Sequence, residues 1–150
     1  MVVGEMELTT FGALLRFGIE LEGRAAELYR DWARAARGDK TKSVLEELAR
    51  AAERHRQRLE RERRENISEM LLEPVHEMRA DGYRLELRPS AEGRDAELLE
   101  LAQRAEEVLE QFYRDAAARL SVPEVARGLL KLAERHGSHR VELRKLEPTR

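Results

Sequence analysis

Apolar residues recur every three to four positions over most of the chain, which is the period of an α-helix and not of a strand. From about Thr9 to Ala36, Leu15, Ile19, Glu22, Ala26, Tyr29 and Ala33 fall on one face, until Gly38-Asp39 interrupts the pattern. A second stripe, Leu45, Leu48, Ala52, His55 and Leu59, runs to about Leu72, before Pro74. It follows Ser43-Val-Leu-Glu46, a capping box in which the serine and glutamate each satisfy a free backbone N–H of the first turn. A third helix spans about Arg94 to Leu120 and carries Ala102, Glu106, Leu109 and Tyr113 on one face. A second capping box, Ser121-Val-Pro-Glu124, opens the fourth, with Pro123 in the first turn where a missing N–H is harmless. That helix carries Leu132, His136, His139 and Leu143 inward and ends near Leu146.

Loop lengths predict the topology. Helices 1 and 2 are joined by a short turn, as are helices 3 and 4, so each pair is an antiparallel hairpin. The connection from about Pro74 to Gly93 is long enough to cross the bundle from end to end. It includes one alternating stretch, Tyr83-Arg-Leu-Glu-Leu-Arg88, that reads as a strand. The expectation is an all-α four-helix bundle with a long crossover between helices 2 and 3, built as one domain over residues 1–150.

The two hairpins, about 9–72 and 94–146, are copies of one unit. Glu22 and Glu106, Tyr29 and Tyr113, and His55 and His139 are each 84 positions apart. At the same offset Arg30-Asp31 matches Arg114-Asp115, Leu48-Ala49 matches Leu132-Ala133, and Leu59 matches Leu143. Shared helical composition would not hold a Glu, a Tyr and a His in register through a turn. The repeat predicts a pseudo-two-fold axis.

Composition narrows the functions. Charged residues make up 39% of the chain and aromatics 5%, as expected of long amphipathic helices. With a net charge of −2 there is no global attraction to nucleic acid. The basic-looking run from Arg54 to Glu65 alternates sign at i, i+4 (Arg56 with Glu60, Arg58 with Glu62, Arg61 with Glu65), which describes an ion-paired, solvated face. No aromatics interleave with it, so nucleic acid is not an expected partner. The chain has no Cys, which removes disulfides, thiol catalysis and cysteine-ligated metal together. No basic-then-apolar leader opens the chain and no apolar run approaches membrane-spanning length, so a soluble cytoplasmic protein is expected. Phosphate loops, nucleophile elbows and HExxH are missing, and His76 lies alone in the connection.

The inward stripes carry a second message. Glu22, Glu106, His55, His136 and His139 all fall on apolar faces, which puts two carboxylates and three imidazoles in the bundle interior. A buried carboxylate is costly unless a cation compensates it. Carboxylates with neutral imidazoles suit iron, manganese or zinc.

The stretches EGRAAELYRDWA from Glu22, LARAAERH ending at His55, EEVLEQFYRDAA from Glu106 and LAERHGSH ending at His139 resemble the rubrerythrin and ferritin-like di-iron proteins over nearly the whole chain. The resemblance implies a ferritin-like bundle with Glu22 and Glu106 as single carboxylate ligands and His55 and His139 as histidine ligands. It also implies non-haem iron chemistry, either peroxide or dioxygen reduction or metal handling. That family supplies a Glu-x-x-His from each of two helices. Here Ala52 and His136 stand where those glutamates should be. Glu53 is rotated by about 100° from the required face, and Glu134 is two residues out of place.

Four carboxylates balance two divalent ions, and two balance one. One ion, iron before manganese or zinc, is therefore expected, with Glu22, His55, Glu106, His136 and His139 as its candidate ligands. Tyr29 and Tyr113 either hydrogen-bond those ligands or act in redox chemistry, or are core residues with a polar tip. Lacking a rubredoxin-type centre, such a protein would take electrons from a separate donor. The other reading is a non-catalytic scaffold, with His55 and His139 protonated against Glu22 and Glu106 and no metal. A homodimer is expected, paired through Trp32, Phe11, Phe17 or apolar residues of the connection.

Overall fold

The computed structural model describes residues 7–66 and 68–146. Four long helices form the bundle: α1 (Phe11–Ala35), α2 (Asp39–Glu65), α4 (Asp95–Ala118) and α5 (Pro123–Lys145), with a one-turn α3 (Ser68–Leu71) after α2. No described helix is long and apolar enough to cross a membrane. The fold is the expected all-α bundle of two antiparallel hairpins joined by a long crossover.

Helix boundaries follow local chemistry. Thr10 caps α1 by accepting the Ala13 N–H at 3.1 Å. Two predicted capping boxes do not form. α2 starts at Asp39, with Gly38 at its N-cap, so Ser43 lies inside the helix. The reason is tertiary: the Asp95 carboxylate, at the start of α4, accepts the backbone N–H groups of Arg37 and Gly38 at 2.9 and 2.8 Å. This clamp sets the α1–α2 turn and delivers the chain into α2 four residues before the serine. Burial alone would raise the Asp95 pKa, but these hydrogen bonds outweigh it and lower the value. At α5 the N-cap is Val122 and Pro123 is the first helical residue, leaving Ser121 exposed outside the helix.

α2 ends at Glu65 and not near Leu72. Asn66 turns its side-chain amide onto the Glu62 carbonyl at 2.5 Å, a local bond that competes with continued helix. The crossover is then pinned to the segment before α1. The Leu8 N–H donates to the Met78 carbonyl, Val75 to Thr9 and Phe11 to Glu73, each at 2.9 Å. The predicted strand at 83–88 is extended but unpaired, and no strand occurs among the described residues. Its alternation instead presses Tyr83, Leu85 and Leu87 onto the bundle, and the Tyr83 hydroxyl donates to Asp115 at 2.5 Å.

The Asp95 clamp places the starts of α2 and α4 at the same end, so these helices are parallel, as a crossover requires. At Gly18, α1 meets α2 and α4 closely: a β-carbon there would sit 3.0 Å from Leu59 and 3.3 Å from Phe112. Phe17, Tyr83 and Phe112 pack as a tilted aromatic group beside it. Trp32, Phe11 and Phe17, expected to face a partner subunit, are 2%, 1% and 7% exposed and belong to the core of this chain. The bundle needs them to fill its own interior, so they offer no surface to a second copy. Of the three ion pairs expected along α2, Arg56–Glu60 forms, with Glu53 as a further partner of Arg56. Arg58 and Arg61 pair with no carboxylate among the described residues.

Asp95→Ala removes both bonds of the clamp. It is expected to lower stability by about 1–2 kcal/mol in urea denaturation; an unchanged midpoint would mean the turn is held by packing alone.

Candidate metal centre

Residues that match at the 84-position offset meet in the interior. Glu22 on α1 and Glu106 on α4 are 0% and 1% exposed. Each accepts a hydrogen bond from the tyrosine of the opposite hairpin. Tyr113 donates to Glu22 Oε2 at 2.6 Å, and Tyr29 donates to Glu106 Oε2. Burial, and then the carboxylates themselves, push both phenol pKa values well above their ordinary range, so the hydroxyls remain donors. Two of the expected roles coincide in the tyrosines: their rings are core and their hydroxyls donate to the acids.

All five predicted site residues converge here. His136 lies between the two acids, with Nδ1 2.8 Å from Glu106 Oε1 and Nε2 2.8 Å from Glu22 Oε2. Its ring stacks on Tyr113, with centroids 5.6 Å apart. His139 reaches Glu106 Oε1 through Nδ1 at 2.9 Å. His55 Nδ1 lies 3.4 Å from Glu22 Oε2. That is an electrostatic contact lacking hydrogen-bond alignment, since the nitrogen has no hydrogen-bond partner in the structure.

The electrostatics follow from this placement. Burial favours a neutral His136, but the two facing carboxylates outweigh it and raise its pKa to about 10. Burial would likewise raise Glu106; His136 and then His139 overcome that and hold it down at about 2. Glu22 is lowered in the same way, by His136 and then His55 against burial. An imidazolium with both N–H groups donating thus neutralises part of the buried negative charge. The sequence reading gave that part to His55 and His139. Between the carboxylates, His136 takes it instead.

Two sets of three donors could hold a cation: Glu22, His55 and His136, and Glu106, His136 and His139, with donor atoms within 4.8 Å of one another in each. The first contains two buried atoms with no hydrogen-bond partner, Glu22 Oε1 and His55 Nδ1. Such orphaned atoms, one anionic and one an imidazole nitrogen, are donors that a divalent transition metal accepts. The set fits one divalent ion. It does not fit a carboxylate-bridged pair, because Ala52 and His136 occupy the bridging positions and Glu53 is turned outward to Arg56. The two states of His136 exclude one another: a ring donating from both nitrogens has no lone pair for a metal.

Sequence reasoning found every residue of this cluster but missed the crossed tyrosine–glutamate pairs. The constant offset, together with the same Glu-to-Tyr spacing in both halves, was the available signal for them.

No curated protein matches this chain. Two solved structures share its fold. One is an uncharacterised conserved protein from Magnetospirillum magnetotacticum, with 22% identity and a TM-score of 0.74 over 100% of this chain and 98% of that one. The other is a candidate ferritin-like diiron-carboxylate protein from Thermotoga maritima, with 17% identity and a TM-score of 0.71 over 95% of each chain. The rubrerythrin family model matches residues 13–147. A match across both hairpins, with glutamates, tyrosines and histidines meeting inside, means that this chain belongs to the rubrerythrin family.

Proposed function

We propose that the protein binds one divalent transition-metal ion, iron in preference to manganese or zinc, and serves as a non-haem metal protein of peroxide or dioxygen reduction or of metal handling. The observation that carries this reading is the pair of orphaned buried donors, Glu22 Oε1 and His55 Nδ1. Glu22, Glu106, His55, His136 and His139 are the residues that would hold the ion. Bound iron would supply a redox couple for reducing the oxidant, with electrons from a separate donor protein.

The chain's own residues have definite tasks. Tyr113 and Tyr29 hold one oxygen of each carboxylate and fix its rotamer. The surrounding core keeps bulk water from both acids. His139, 29% exposed, and His55, 13% exposed, form the solvent-facing edge of the cluster.

A second reading is supported by a specific observation, the engagement of both His136 nitrogens by carboxylates. With His136 as a built-in cation, the bundle is a metal-free scaffold. Elemental mass spectrometry on untagged protein offered iron, manganese or zinc separates the two. The expected result is about one ion per chain, lost when Glu22→Gln and Glu106→Gln are combined. No ion under any loading condition would leave the scaffold.

The metal-free protein has its own signature. His136 binds its proton more tightly when folded, at about 10, than at the ordinary 6.5. Its stabilisation is therefore complete below pH 6.5 and is lost as pH rises toward 10. Glu106 acts at the other end: its contribution is present above 4.5 and is lost as pH falls toward 2. Thermal melts of chelated protein should show Tm falling through the alkaline window, and His136→Gln should flatten that limb. An alkaline limb of equal slope in the variant would show that His136 is not the group responsible.

A further inference from the structure

The solvent-facing edge of the cluster opens into a groove between α2 and α5 of about 530 Å³, lined by Arg58, Lys131, Glu134, Arg135, Ser138 and His139. On α5, Lys131, Arg135 and Ser138 follow one another at i+4 and i+3, so they share a face. Arg58 reaches this face from α2, its guanidinium lying 4.0 Å from where a β-carbon on Gly128 would stand. Three cations and one carboxylate line the groove, for a net charge of +2 in a chain whose total is −2.

Several other arginines of these two helices are ion-paired. Arg50 and Arg54 pair with Glu47, Arg56 with Glu53 and Glu60, and Arg140 with Glu110. Arg58, Lys131 and Arg135 have no ion-pair partner among the described residues, although Glu62 is placed one turn from Arg58 and Glu134 lies in the groove itself. Lys131 and Arg135 are also like charges at i, i+4, an arrangement that mildly destabilises a helix. Guanidinium groups present paired N–H donors that match an oxyanion, lysine adds a point charge, and a serine hydroxyl supplies a further donor.

We propose that the α2–α5 groove is a binding site for a small oxyanion, held by Arg58, Lys131, Arg135 and Ser138 directly beside His139. The class comprises phosphate-like and carboxylate anions, and the groove would bring either to the edge of the buried cluster at His139. This goes beyond the metal reading and does not depend on it, because the cations and the groove belong to the protein alone.

The test is a titration of the full chain, as purified and after chelation, followed by NMR of the histidine ring signals. Inorganic phosphate and acetate form separate arms, with chloride at matched ionic strength as the control. His76, exposed in the crossover, reports non-specific effects. The expected result is a saturable shift of His139 in at least one oxyanion arm without a matching shift of His76. Binding should weaken roughly tenfold or more when Arg58→Gln and Arg135→Gln are combined. Both arginines are exposed, and an unchanged far-ultraviolet spectrum would establish that the variant is folded. Saturation by phosphate alone assigns a tetrahedral anion, and saturation by acetate alone a carboxylate. A response equal to that of chloride would reduce the groove to ionic screening and overturn the proposal. Saturable binding of undiminished strength in the variant would place the anion elsewhere and overturn it as well. Since the chelated arm contains no metal, failure here would leave the metal reading standing, and failure of metal loading would leave this site standing.

Discussion

Two carboxylates buried in an apolar bundle need positive charge and donors close at hand, and most of the interior polar structure answers that need. An isolated ionised acid in such a place would protonate or unfold the chain. Glu22 and Glu106 avoid both outcomes by sharing one ring between them, with a tyrosine hydroxyl on each. The same arrangement makes the cluster sensitive to whatever competes for the ring. A metal requires an unprotonated nitrogen, whereas the two-acid bridge requires both nitrogens protonated, so occupancy by one excludes the other.

The matches at the 84-position offset show where the donors stand and where the correspondence between the hairpins fails. Glutamates, tyrosines and the outer histidines obey that offset. The position occupied by Ala52 in one hairpin and His136 in the other does not. That single asymmetry removes two acids from the family's pattern and inserts a bulky ring at the centre. The donor set is left balanced for one divalent ion and not for two. The clamp from Asp95 and the close approach at Gly18 serve the same geometry by setting how the hairpins meet.

Much of this was legible in the amino-acid order. Helical periodicity placed five polar residues on inward faces, and the constant offset between halves required them to meet near one level. Periodicity assigns a face, but it does not say which atoms touch, so His136 was grouped with the other histidines and not recognised as the bridge. The start of α2 was hidden for a different reason: the residue that sets it, Asp95, is more than fifty positions away, and a local capping rule favours Ser43. Trp32, Phe11 and Phe17 belong to the core and not to a subunit contact, because the sequence pattern alone does not tell a core face from a docking face. In a bundle lined with alanine they are the volume that fills it. Tyr83 to Arg88 alternates like a strand because an extended segment on a bundle surface also buries every second side chain.

The crossed tyrosine–glutamate pairs carry a consequence for how the chain reaches its native state. Neither hairpin owns a complete pair, since the acid of each is met by the hydroxyl of the other. A hairpin formed early therefore lacks the tyrosine donor for its acid, and that hydrogen bond has to wait for docking of the second hairpin. Assembly of the interior is thereby coupled across the two hairpins, because neither completes its own tyrosine–glutamate pair.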